Sequence, residues 1–195
     1  MNQAVGHIEI FPDPLTLARY VAEWMTAATL AANGPFRVSL SGGSTPKTLY
    51  GLLASDEFKG RFPWPRVSWY WGDERFVPYD HPDSNYRMTR EAMLDKVPVP
   101  PENVHPVPVD GTPEGAALRY EQILQRAYGA ATLDPARPLF DLTLLGRGPD
   151  GHTASLLPGE PVLEERARWV EAVSHGRPEI RLTMTYPVID SSRRV

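Results

Sequence analysis

Between Leu139 and Gly159 an apolar run ends in an abrupt backbone break, and that junction limits what this chain can fold into. Leu139 to Leu145 is short and almost wholly apolar, the pattern of a strand buried on both faces. Gly146, Gly148, Pro149 and Gly151 crowd the next six residues, so the backbone there turns tightly or leaves room for a ligand. Doubly buried strands belong to parallel sheets flanked by helices, and open sheets of that kind take ligands just past the carboxyl ends of their strands. Asp150 and His152 fall at that position. A histidine titrates near neutrality, so one presented there suits proton transfer, and a carboxylate two residues away can orient it.

The same residues, Gly146 to Gly151, spell G-x-G-x-x-G, the dinucleotide fingerprint. That fingerprint needs a long helix directly after it. Pro158-Gly159 closes any helix here after about two turns, which argues against a nucleotide.

The rest of the chain alternates strand and helix. His7 to Phe11 reads as a first strand. Asp13 then caps a helix with Pro14 at its first position, an apolar stripe runs from Leu15 to Ala28, and Gly34 ends it. Phe36 to Leu40 reads as a second strand and Val67 to Trp71 as a third. Ser84 caps a helix from Asn85 to about Asp95. Val104 to Val107 reads as a short edge strand. Thr112-Pro113-Glu114 opens a helix that Gly129 closes, and Trp169 to Val173 and Ile180 to Met184 read as two more strands. The final residues, Asp190 to Val195, look like the lead into a further strand. This order predicts an α/β sandwich, rich in parallel strands, spanning 1–195 as a single domain.

Composition removes several functions. The net charge is −4 and no stripe of Lys and Arg forms, so neither nucleic acid nor an anionic membrane is expected as a partner. With no cysteine there is no thiolate metal site and no disulfide, and the chain is compatible with a reducing, cytoplasmic setting. Met1 to Ile10 lacks a signal-peptide pattern, and no stretch approaches the roughly 20 apolar residues of a membrane span. The five histidines, His7, His81, His105, His152 and His175, show no paired ligand spacing, so no metal is expected.

Two further stretches carry chemistry. Ser41-Gly42-Gly43-Ser44-Thr45-Pro46-Lys47 follows a strand and opens a helix, with Ser44 or Thr45 as its cap. Backbone N–H groups at such a helix start favour phosphate, although the Walker spacing is absent. Asp73-Glu74-Arg75 ends another strand. Arg75 suits a phosphate or an oxyanion, and Asp73 suits a base or a sugar hydroxyl.

Three motifs stand in order: Ser39-Leu40-Ser41-Gly42-Gly43-Ser44-Thr45-Pro46; Trp71-Gly72-Asp73-Glu74-Arg75-Phe76-Val77 with Asp83-Ser84-Asn85-Tyr86; and Gly148-Pro149-Asp150-Gly151-His152-Thr153-Ala154-Ser155-Leu156. Together they resemble the 6-phosphogluconolactonase family, and Ile180-Arg181-Leu182-Thr183-Met184-Thr185 matches a fourth family segment. The resemblance implies a Rossmann-like three-layer α/β sandwich with a mostly parallel sheet, no cofactor, and hydrolysis of 6-phospho-D-glucono-1,5-lactone in the oxidative pentose phosphate pathway. The chain's partner would be the small sugar-phosphate lactone; a monomer or weak homo-oligomer is the expectation, on which the sequence itself is silent. His152 would be the general base, oriented by Asp73 or Asp150. Gly42, Gly43, Ser44, Thr45, Arg75, Asn85 and Arg181 would hold the substrate and its phosphate. Arg75 or backbone N–H groups would stabilise the oxyanion. Arg147 departs from the family, which usually has an apolar residue there; it alters the loop's packing or adds charge near the site. The family usually carries a final strand and helix, with a lysine that reaches the phosphate, which residues 1–195 lack: either the chain is truncated or this protein is short. Two other functions stay open: a deaminase-isomerase acting on glucosamine 6-phosphate, against which Ser155-Leu156-Leu157 stands in place of an acidic partner, and a non-catalytic sugar-phosphate sensor.

Overall fold

A computed structural model describes residues 6–174 and 179–195; His175 lies outside them. Helix α1 (Pro14–Ala31) starts as its sequence dictates, with the Asp13 carboxylate accepting from the Thr16 N–H at 2.8 Å and Pro14 in the first turn. It ends earlier than Gly34 suggests. Ala32 is the cap, in extended backbone, so no left-handed glycine is needed. Residues 7–11 form no strand: Ile8 and Ile10 are exposed and pair with nothing in a sheet. Their alternation was a local pattern without a partner.

Strand β1 (Phe36–Leu40) leads into helix α2 (Ser44–Leu53), and the one-turn α3 (Asp56–Lys59) follows. Strand β2 (Val67–Trp71) pairs with β1 in parallel from Phe36↔Val67 to Leu40↔Trp71. After Gly72 comes β3 (Asp73–Arg75), then α4 (Asn85–Ala92), capped by Ser84 through its Oγ, and a 3-10 turn at Leu94–Lys96. The expected edge strand at Val104 reduces to a single parallel bridge with Trp69. Helix α5 (Pro113–Tyr128) has Thr112 at its start and left-handed Gly129 at its end.

The central apolar run is largely extended chain. Only β4 (Leu142–Thr143) is a regular strand, paired in parallel with β1 at Val38 and Ser39. No helix follows Gly151, and Thr153 to Leu156 is a bridged turn, so the dinucleotide reading fails on geometry. Strands β5 (Val170–Val173) and β6 (Arg181–Met184) run antiparallel to each other, and β6 runs antiparallel to β3. A short helix, α6 (Tyr186–Asp190), precedes the last residues.

The result is a mixed α/β domain. A parallel sheet in the order β2-β1-β4 stands beside an antiparallel ribbon in the order β3-β6-β5. Past α6, Ser192 bridges Phe140 in parallel and the Thr143 N–H donates to the Arg194 carbonyl, so the chain's last residues run alongside β4. The core centres on Trp64, Trp69, Trp71 and Phe62, where the Phe62 and Trp64 rings lie 4.5 Å apart. Gly72 joins the two sheets: its N–H donates to Leu40 and its carbonyl accepts from Met184. The carboxyl ends of β1 and β2 therefore meet the ribbon at one place, and the functional residues gather there. Among the described residues no helix is long and apolar enough to cross a membrane.

Candidate active site

The loop after β1 builds one wall of a cleft of about 290 Å³. Ser44 and Thr45 do not cap α2. Gly43 occupies the cap position at φ 108, and no side chain bonds the helix start. Only glycine adopts that φ without strain, and without a side-chain cap the first-turn N–H groups are left for a ligand. Gly42 is needed for a second reason. A Cβ there would fall on the Asn85 amide, which packs directly against the loop.

The antiparallel ribbon supplies the charge. In its register Arg75 lies directly opposite Arg181. Like charges so placed repel unless an anion lies between them. Arg75 donates from Nη1 to the Asp83 carbonyl at 2.6 Å, and Arg181 donates from Nη2 to Glu179 at 2.9 Å. Each Nε is buried without a hydrogen-bond partner among the described residues. Both arginines line the cleft, as do Arg147, Asp73 and Asn85. Three guanidinium groups against one lining carboxylate make the cleft cationic in a chain that is acidic overall.

The third wall is the glycine-rich turn. The Asp150 carboxylate bonds the His152 Nδ1 and also accepts the His152 N–H at 3.2 Å. His152 holds the Asp150 carboxyl below its ordinary range, first through the imidazole bond and then through its backbone N–H. Of the two carboxylates expected to orient His152, Asp150 is the one in contact. Asp73 instead accepts the Ser155 hydroxyl at 2.7 Å, and the Asn85 amide donates to its carbonyl at 3.0 Å. Asp73 is thus a fixed, buried carboxylate facing the cleft. Ala154, between His152 and Ser155, has φ 49, a strained conformation for a residue with a side chain.

Gly148 explains the glycine spacing of the turn. A Cβ built there falls inside the His152 ring. Gly148→Ala should therefore tilt the imidazole off Asp150 and lower kcat about tenfold, with KM and the thermal midpoint nearly unchanged. Steady-state kinetics beside a melting curve check this.

Sequence reasoning passed over two site residues. Glu74 is buried; its carboxylate accepts from the N–H groups of Arg75, Asn85 and Tyr86 at 2.7–2.8 Å and from Ser84 Oγ at 3.1 Å. Burial pushes its carboxyl up, while those three N–H groups pull it back. Glu74 thereby clamps the start of α4 to β3 and sets Asn85 against Gly42. Its sequence signal was a third charge at a strand end, inside the second motif. Ser155, which steadies Asp73, stands in the third motif, but nothing local there pointed to a role. A larger hollow of about 630 Å³, bordered by Leu133, Pro138, Trp169 and Pro187, lies elsewhere and contains no histidine.

Fold and cleft together define a Rossmann-like α/β protein with a cationic cleft and a hydrogen-bonded His–Asp pair at the carboxyl ends of parallel strands. The family described as "Glucosamine-6-phosphate isomerases/6-phosphogluconolactonase" matches residues 13–195. The chain is 42% identical to a 6-phosphogluconolactonase of Nostoc sp. over 194 residues, covering 96% of this chain and 77% of that one. It is 39% identical to 6-phosphogluconolactonase 3, chloroplastic, of Arabidopsis thaliana, covering 93% of this chain and 57% of the relative. A solved 6-phosphogluconolactonase from Trypanosoma cruzi superposes with a TM-score of 0.80 at 32% identity, over 94% of this chain and 76% of that one. This chain belongs to the glucosamine-6-phosphate isomerase/6-phosphogluconolactonase family.

Proposed function

We propose that the cleft hydrolyses 6-phospho-D-glucono-1,5-lactone to 6-phosphogluconate. The observation that carries this reading is the placing of the His152–Asp150 pair in the same cleft as the Arg75–Arg181 anion cradle. Family membership and the names of its relatives support it.

The phosphoryl group sits between the open start of α2 and the paired arginines, which charge-assisted hydrogen bonds favour. That anchors the sugar with its lactone end toward His152. An ionised Asp150 accepts the proton on Nδ1, so Nε2 is the basic nitrogen. Nε2 takes a proton from water as the water oxygen attacks the lactone carbonyl carbon. The tetrahedral oxyanion is stabilised by a guanidinium or a backbone N–H. When the ring C–O bond breaks, the imidazolium returns its proton to the ring oxygen, and the acid product ionises. Asp73, held by Ser155 and Asn85, accepts a sugar hydroxyl. A cyclic ester is already reactive, so no covalent intermediate is required.

A coupled assay on freshly generated lactone tests the reading. Turnover that saturates with the phosphorylated lactone supports it. Ammonia release from glucosamine 6-phosphate in its place would move the chain to the deaminase side of the family. Tight 6-phosphogluconate binding without turnover would make the chain a sensor.

A further inference from the structure

Strand β4 leaves β1 where the cleft opens, and the backbone it abandons must be satisfied by something else. The Leu144 N–H donates to the Ser39 carbonyl at 2.9 Å. Two residues on, the parallel ladder would next use the N–H and carbonyl of Ser41. Both go to one side-chain atom. Tyr50 Oη accepts the Ser41 N–H at 3.1 Å and donates to the Ser41 carbonyl at 2.8 Å. Tyr50 reaches back from the second turn of α2 and is wholly buried. Burial pushes its phenol up, so the hydroxyl keeps its proton and remains a donor.

The device occurs twice. On the outer edge of β2 the His105 N–H donates to the Trp69 carbonyl at 2.9 Å. Two residues on, Trp71 gives its N–H and its carbonyl to Tyr120 Oη, at 2.8 and 2.9 Å. Ser41 begins the anion loop, and Trp71 leads through Gly72 into Asp73 and Arg75. A buried tyrosine thus stands in for a missing strand at two of the points where a site loop leaves the sheet.

We propose that Tyr50 is a positioning residue for the anion loop: its hydroxyl lets β4 part from β1 and fixes Ser41, so that the N–H groups after it converge on the phosphoryl group. The substrate side of this inference rests on the lactonase reading; the loop geometry does not. Tyr50→Phe keeps the ring in the core and removes only the two hydrogen bonds. Inorganic phosphate, titrated calorimetrically, should bind about 3- to 10-fold more weakly, the weight of one or two net hydrogen bonds. KM for the phosphorylated lactone should rise by the same factor with kcat retained, and hydrolysis of unphosphorylated gluconolactone should keep its rate constants. Tyr128→Phe is the control for simple destabilisation, because Tyr128 Oη serves the backbone of Asp134 and Arg137 away from the cleft. Unchanged phosphate affinity in folded Tyr50→Phe, or a loss matched by Tyr128→Phe, overturns the proposal. Should Tyr50→Phe not fold, amide exchange on the unmodified chain decides. A Ser41 amide already protected without phosphate, beside Ser44 and Thr45 amides protected only with it, supports the role; equal exchange at all three without phosphate overturns it. A chain that binds phosphate yet leaves the lactone intact would undo the lactonase reading while leaving this test in force.

Discussion

His152→Ala lowers hydrolysis of the phosphorylated lactone about 100-fold or more at neutral pH, the usual weight of a general base, with little change in KM. The size follows from what remains. The anion cradle is built from α2, β3 and β6 and does not need the imidazole. Substrate therefore still binds, and only activation of water is lost. Asp150→Asn should fall in the same direction by a smaller factor, because the ring stays against Gly148 but its acceptor-only carboxylate becomes an amide that can also donate and so no longer fixes the tautomer. A rate for His152→Ala equal to that of the unmodified chain in the coupled assay would take His152 out of the mechanism. Loss of rate together with loss of 6-phosphogluconate binding would mean that the imidazole holds substrate instead.

What the sequence disclosed was the part fixed by neighbours along the chain. Phe36–Leu40 and Val67–Trp71 are strands because their β-branched and aromatic runs are short and clearly bounded. Asp13, Ser84, Thr112 and Gly129 cap or close their helices through contacts no more than four residues away. The three motif loops converge because each follows a strand end, and Asp150 lies beside His152 by adjacency alone. What stayed hidden depends on long-range pairing. Leu139 to Leu145 shrinks to the two residues of β4 because β1 has already turned into the anion loop at Ser41. The antiparallel sense of β5 and β6 is set by where they dock, against β3 and α5, and no local pattern encodes it. His7 to Phe11 has strand composition and, among the described residues, no strand to pair with. By sequence Asp73 is an equal candidate to Asp150; its carboxylate is held instead by Ser155, 82 residues away. Glu74 shows the same limit: its hydrogen bonds reach across to residues 84–86, so its identity mattered only once β3 and α4 had met.

Arg75→Ala weakens the phosphorylated lactone and 6-phosphogluconate together by ~1.5–3 kcal/mol, the worth of a hydrogen bond to a charged group. Arg75 is singled out over Arg181 by the charge of its anchor. Its Nη1 is held by the neutral Asp83 carbonyl, which aims the guanidinium without neutralising it. Arg181 faces it but already holds Glu179, so part of its charge is spent within the fold. Lys47 is exposed in the first turn of α2 and does not line the cleft. Lys47→Ala should therefore change affinity little. The register pairing adds a second signature. Without an anion the two opposed guanidinium groups repel, so Arg75→Ala should leave the empty protein as stable as before or slightly more so. The melting point gained on adding 6-phosphogluconate should shrink, because ligand stabilisation tracks affinity. Unphosphorylated gluconolactone separates the two roles open to Arg75. If the guanidinium grips only phosphate, that substrate keeps its kcat/KM in the variant; if it also stabilises the oxyanion, that substrate falls too, by a smaller factor than the phosphorylated lactone. A larger loss for Lys47→Ala than for Arg75→Ala would place the dominant cation on α2 and not on the ribbon.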